Sequence, residues 1–305
     1  MRILHRTSLV VATFVVAVRV AAAQDLVVAD QGRTTAVVVV SPAAGAWEKR
    51  AADDLVHYVH LMSGAKLSLA NTDSAIADAL KAAAPTLVVG SEAIKAEPSL
   101  AAELAKVAKK DPVIRADAIV LRRQGNRVYL AGLNDDCHYY AVAELLRRWG
   151  CRWYLPTAIG ECMPDSPTLK IGELQYSYAP PFEVRKYWIA WNGATDDQRE
   201  FTRRNFMNYE VDVPSGHAIG EYVKELIPPG KTVFNVPIAD ETTIAHIARK
   251  IGPAFAKGQD ISLGMEDGTY VSESARDKEL QGHRFSDVLL GFQWLGLRSS
   301  PPQWK

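Results

Sequence analysis

In this 305-residue chain, the stretch ISLGMEDGTY (261–270) runs apolar-leaning positions into two adjacent acids, Glu266 and Asp267, and a glycine. Carboxylates at a strand end can act as general acid, general base or nucleophile. Glycoside hydrolysis uses two of them, about 5–5.5 Å apart for retention and about 6.5–9.5 Å apart for inversion. Neighbouring strand residues point to opposite faces, so Glu266 and Asp267 need not be that pair. One can face a pocket while the other supports its loop, with the partner supplied by another strand. The competing reading is an ordinary Asp-Gly turn.

His217, in PSGHAIG, lies in a glycine-containing loop where an imidazole can approach a hydroxyl or a carboxylate; a plain surface histidine is the alternative. Trp188 and Trp191, with Asn192 beside them, could form a platform that stacks on a sugar ring, although strand aromatics are more often core. The planar fork of Arg185 suits a uronate carboxylate, and equally a strand-face ion pair. Glu266 and Asp267 are therefore the candidate catalytic residues. His217, Trp191, Asn192 and Arg185 are the candidate substrate-binding residues.

Other chemistries lack their signatures. The sequence has no phosphate-binding glycine loop, no G-x-S-x-G elbow, no H-E-x-x-H and no metal-type Cys/His spacing, so neither a cofactor nor a metal is expected. Lys+Arg and Asp+Glu both number 35, which provides no global field for nucleic acid or an anionic membrane. The three cysteines, Cys137, Cys151 and Cys162, do not make a disulfide framework. Cys151 with Cys162 is the most plausible pair, and buried free thiols are the favoured alternative.

Residues 1–23 read as a secretory signal. Arg2 and Arg6 form the positive end, Leu9–Val18 the apolar run and Ala21–Ala23 the cleavage site. No later stretch reaches membrane-spanning length. The mature protein is expected to be exported, periplasmic or extracellular, and the sequence is silent on oligomeric state.

Elements that would position these residues follow from periodicity and punctuation. TTAVVVV (34–40), KLSLA (66–70) and PTLVVG (85–90) read as strands, GAWEKRAADDLVHYVHLMSG and SLAAELAKVAKK as helices, and 117–131 as a hairpin turning at Gly125-Asn126. NDDCHYYAVAELLRRWG is a helix capped by Asn134, whose Asp135 and Asp136 complement the helix dipole. An α/β domain is thus expected over 24–178. Pro180-Pro181 marks a boundary. Beyond it EVRKYWIAW, NYEVDVP, KTVFNVP and DISLGM alternate as strands with helices that begin at Thr195 (a capping box with Gln198) and Asp240. Arg203-Arg204 reads as a solvated helix face. Alternating strands and helices suggest a (β/α)8 barrel, but a barrel takes about 250 residues and only 125 follow Pro180. The expectation is a partial, truncated barrel over 179–282 and an atypical tail over 283–305.

AADDLVHYVHLMSG together with DDCHYYAVAELLRRWGCRWYLPTAIGECMP resembles the α/β domain that precedes the catalytic barrel in two glycosidase groups. These are the family 20 β-hexosaminidases and the family 67 α-glucuronidases. FTRRNFMN, PSGHAIGEYV and SLGMEDG resemble a family of secreted bacterial proteins whose barrel region is domain of unknown function 4838. The resemblance spans roughly 35–270 and departs from the family in a short segment between Val223 and Val233 and after Gly282. It implies a non-catalytic first domain and a carbohydrate site at barrel strand ends. Trp149, Arg152, Trp153 and Tyr154 read as structural, packing the first domain against the barrel. The implied function is a glycoside-hydrolase-like protein of carbohydrate metabolism with an incomplete catalytic domain; the alternative is a non-catalytic carbohydrate-binding or interaction module.

Overall fold

The computed structural model describes residues 24–186 and 194–281. After a first strand, Leu26–Asp30 (β1), the β-branched run supplies Val37–Val39 (β2). Helix α1, Ala46–Ser63, ends where Gly64 turns left-handed at φ +74° and its N–H bonds the His60 carbonyl. Ser68–Ala70 (β3), Asp73–Lys81 (α2), Thr86–Val89 (β4), Gly90–Ala96 (α3) and Ser99–Val107 (α4) follow. The hairpin pairs Ile119–Gln124 (β5) with Arg127–Gly132 (β6). Asp135–Arg148 (α5) starts at Asn134, whose side chain accepts from the Cys137 N–H at 3.0 Å. Arg152–Trp153 (β7), Glu161–Cys162 (β8), Thr168–Ile171 (β9) and Gln175–Tyr178 (β10) complete the strands.

Six strands form one mixed sheet in the order β10-β5-β6-β4-β2-β3. β6, β4, β2 and β3 run parallel, while β5 and β10 are antiparallel to their neighbours. β1 pairs with β9 and β7 with β8. Period-two alternation divides the strand side chains between two cores. Val38, Leu87, Leu121 and Leu130 meet α1 and α5 through Leu55, Val59, Tyr139 and Leu145. Val39, Val88 and Val120 meet Ile76, Leu100 and Leu104 from α2 and α4. Helices on both faces explain why the central strands read as continuous apolar runs.

The chain divides into two compact units, 1–211 and 212–305. The expected boundary at Pro180 therefore lies inside the first unit, for a physical reason. Glu183 accepts hydrogen bonds from the N–H groups of Val113, Ile114 and Arg115 and pairs with Lys109, which together hold its carboxyl at about 2. Helix α6 (Asp196–Arg204) has the capping box expected of Thr195 and Gln198. Its two terminal arginines correct the solvated-face reading: Arg203 and Arg204 are 3% and 8% exposed. Arg203 pairs with Asp136 at 2.7 Å and lies 3.5 Å over the Trp47 ring. Arg204 reaches Asp54, Tyr139, Glu161 and Glu200 at 3.0–3.2 Å. The two acids on α5 do more than complement its dipole. Asp135 accepts from the Trp47 and Glu48 N–H groups that open α1, and Asp136 also binds Arg115 and Asn208.

In the expected packing cluster, Trp153 is buried and donates to the Tyr58 hydroxyl at 3.1 Å, and Trp149 donates to the Lys170 carbonyl. Arg152 bonds the Arg147 and Cys151 carbonyls, whereas Tyr154 is exposed. The three cysteines are free, so Cys151 and Cys162 do not pair: Cys151 is buried beside Met62, its thiol pushed up by burial to about 12, and Cys162 is exposed.

The second unit holds α7 (Ile219–Val223), α8 (Glu241–Phe255) and α9 (Ala275–Gln281), around a small core of Ile219, Val223 and Val236. Asp240 opens α8, but its carboxylate accepts from Ser274 rather than from the helix. Among the described residues, no ladder forms at the expected strands NYEVDVP, KTVFNVP and DISLGM. Local side-chain bonds compete with pairing in each. Asn208 accepts from the Glu210 and Val211 N–H groups, Thr232 and Asn235 cap a 3-10 turn over Val233–Asn235, and Ser262 bonds the Gly264 N–H. Of EVRKYWIAW, residues 183–186 are not strand, and 187–191 lie outside the described residues. Among the described residues, no helix is long and apolar enough to cross a membrane.

Candidate functional site

Two segments of the second unit, 216–220 and 262–270, meet closely at Gly264 and are tied by further hydrogen bonds on either side of it. Gly264 and His217 form a parallel bridge, and the Gly264 carbonyl accepts from the Ala218 and Ile219 N–H groups at 2.9 and 3.1 Å. Ser262 ties the same turn to the Gly216 carbonyl. The approach is close enough to require glycine, since a Cβ on Gly264 would lie 2.4 Å from the Gly216 oxygen.

This junction brings together three residues singled out in the sequence, His217, Glu266 and Asp267. Glu266 is half-buried and accepts on both oxygens, from the Gly220 N–H at 2.7 Å and from the Tyr270 hydroxyl at 2.8 Å. A Cβ on Gly220 would collide with that carboxylate. The Tyr270 ring stands edge-on to Phe234, and its hydroxyl is pushed up by burial and by Glu266. Phe234 in turn lies against Gly268, the glycine that follows the acids.

Asp267 is almost fully exposed, with Oδ2 3.4 Å from Nε2 of a half-exposed His217. Nδ1 of His217 donates to the Met265 carbonyl. That carbonyl, and then the charges of Asp267 and Glu266, raise the imidazole above its ordinary range. Glu266 is thus fixed in orientation, while Asp267 and Nε2 of His217 stay open to a hydroxyl-bearing ligand. The sequence did not single out Tyr270, Gly220 or Phe234; only the four-residue spacing from Glu266 to Tyr270 hints at the first.

Among the remaining candidates, Trp188, Trp191 and Asn192 lie outside the described residues. Arg185 belongs to the first unit and is not placed for a substrate. Its Nη2 pairs with Asp117 at 2.5 Å, Nη1 donates to the Phe182 carbonyl and Nε to the Phe206 carbonyl. These bonds engage all three nitrogens of the guanidinium, which answers the uronate reading.

The first unit has a second place where a ligand could be sought. Open parallel sheets bind ligands beyond the strand carboxyl ends, where strand order reverses; here that is between β2 and β4. The crevice is filled from within. Glu48 accepts from the Ser91 N–H and hydroxyl at 2.7 and 2.8 Å, and Asp135 caps α1 beside it. His138 Nδ1 accepts from the Gly132 N–H at 3.0 Å. A Cβ on Gly90 would sit 2.1 Å from Glu48 Oε1, and one on Gly45 2.3 Å from Asp135 Oδ1. An open groove of about 710 Å³ along the edge strand β3 is lined by Asp53, His57, His60 and Lys66. Its imidazoles are engaged locally, His57 edge-on to Tyr58 and His60 with the Gly64 carbonyl at 3.2 Å. Among the described residues, no group of three or more His, Cys, Asp or Glu could hold a metal ion.

A scan of the chain against protein-family models gives no match, and a search of curated proteins gives none either.

Proposed function

We propose that the chain is an exported glycoside-hydrolase-like protein whose carbohydrate site lies in the second unit, around His217, Glu266 and Asp267. The observation that carries this reading is their convergence. Residues 46 and more positions apart are drawn together by the Gly264 junction, with one carboxylate fixed and an imidazole–carboxylate pair exposed. Sugar hydroxyls both donate and accept, so a neighbouring carboxylate and ring nitrogen match them. The isolated parallel bridge of His217 with Gly264 also supports taking 179–282 as the beginning of a (β/α)8 barrel, with the acids two and three residues beyond the bridge. The filled crevice between β2 and β4 supports a non-catalytic first domain.

The test is direct. The chain is offered aryl β-N-acetylhexosaminides, β-glucosides and β-glucuronides for turnover, and the corresponding methyl glycosides in isothermal titration calorimetry. Saturable binding is expected, weakened about tenfold by His217→Ala and by Asp267→Asn, the loss of roughly one hydrogen bond each. Turnover beside binding assigns an enzyme, and binding alone a carbohydrate-binding module. No binding to any glycoside, or equal affinity in both variants, contradicts the proposal.

A further inference from the structure

The site contains three ionisable groups, and their surroundings give them different work. Glu266 has no free oxygen, for Gly220 and Tyr270 each occupy one. It anchors the 262–270 segment to the start of α7. Asp267 is in water, and among the described residues its ion-pair partner is the imidazole. His217 lies beside Asp267, and a carbonyl can only accept, so the bond to Met265 requires the proton on Nδ1. That leaves Nε2 as the nitrogen that gains and loses a proton, with a carboxylate 3.4 Å away and about half of the side chain open to solvent.

We infer that His217 is the proton-exchanging group of this site, working through Nε2, and that Met265 and Asp267 are its positioning residues. The inference rests on the carbohydrate reading only for the identity of the ligand, the hydroxyl of an uncharged sugar. In the neutral ring, the bare Nε2 accepts the hydroxyl proton in a hydrogen bond. In the imidazolium, Nε2–H turns to Asp267, and that acceptor is lost to the ligand. Complete transfer would break the O–H bond, leave its electron pair on the sugar oxygen as an alkoxide and form N–H, placing the positive ring between the Asp267 carboxylate and the Met265 carbonyl. The charged groups bearing on the ring are Asp267 and Glu266, both from the 262–270 segment. Among the described residues, neither forms an ion pair with Lys or Arg. Both therefore favour the protonated ring, in the same direction as the Met265 carbonyl.

The experiment reads the ring itself. The full chain is labelled with ¹⁵N-histidine, and ring nitrogen shifts are followed from pH 5 to 9, with His217 assigned by the signal missing in His217→Gln. Above its transition, His217 is expected to show a protonated Nδ1 and a bare Nε2, opposite to the tautomer that free histidine prefers. Asp267→Asn should move the transition to lower pH and leave the tautomer intact. A neutral ring protonated on Nε2, or a transition unmoved in Asp267→Asn, overturns the inference. Titration with methyl β-D-glucopyranoside separates the two proposals. A ring with the expected tautomer and Asp267 dependence but no sugar response defeats the carbohydrate reading and leaves this one standing. A sugar response with the opposite tautomer does the reverse.

Discussion

Replacing Arg204 with alanine removes the residue that most tightly binds helix α6 to the first unit. Its Nε lies 3.2 Å from Asp54 and 3.1 Å from the Tyr139 hydroxyl, and its Nη atoms lie 3.0 Å from Glu161 and Glu200. Asp54 is 3% exposed and would keep only Arg50, at 3.3 Å, as a cationic partner. Breaking a buried pair from one side costs about 3–5 kcal/mol, because the remaining charge stays desolvated. Glu161 and Glu200 are partly exposed and can rehydrate, and Glu161 retains the Tyr58 hydroxyl at 2.7 Å. The lower end, about 3 kcal/mol, is therefore expected. For a unit of this size that lowers Tm by roughly 6–12 °C. The assay is urea unfolding followed by near-ultraviolet circular dichroism, which reports on Trp47, Tyr139 and Trp153 around the arginines. Arg204→Lys should recover part of the loss, since one ammonium cannot reproduce four divergent bonds. A loss below about 1 kcal/mol in Arg204→Ala would refute the claim that α6 is held by buried charge.

Two further predictions concern the filled crevice of the first unit. Gly90→Ala combines a left-handed backbone, φ +67°, with a Cβ 2.1 Å from Glu48 Oε1. It should cost about 2–4 kcal/mol in urea unfolding, whereas Gly125→Ala, at φ +60° with nothing within 4 Å, should cost only about 1–2 kcal/mol; equal losses would deny the collision. His138 is held below its ordinary range by burial, against the raising effect of Glu48 and Asp135. The unfolded chain therefore binds the extra proton first, so stability is full above about pH 6.5 and falls as pH drops below it, by at most about 1.4 kcal/mol per unit. His138→Gln should flatten stability between about pH 4.5 and 6.5, above the range where carboxylates titrate. An unchanged slope there would assign the acid sensitivity elsewhere.

Much of the first unit was legible because its signals are local. The Gly125-Asn126 turn, the Asn134 cap, the Gly64 stop and the β-branched runs each act within a few residues, and each appears in the structure. The edge strand QYSY (175–178) escaped notice because half-burial blurs its alternation. Arg203 and Arg204 were misread because their partners, Asp136 and Asp54, lie 67 and 150 positions away, and sequence spacing holds no trace of such pairs. Beyond Met207, β propensity pointed to strands, but Asn208, Thr232 and Ser262 satisfy nearby backbone groups with their own side chains. At the candidate site, residue types drew attention to His217, Glu266 and Asp267 separately. Their meeting depends on glycines at 220 and 264, whose role only the close approach of two segments reveals.

The most direct test is to titrate uncharged methyl glycosides into the labelled chain while following the His217 ring and measuring affinity by calorimetry. A saturable shift of the Nε2 resonance is predicted, with affinity weakened about tenfold in Asp267→Asn and rising as pH climbs through the His217 transition. A His217 ring indifferent to every glycoside, or binding that persists unchanged in Asp267→Asn, would contradict it.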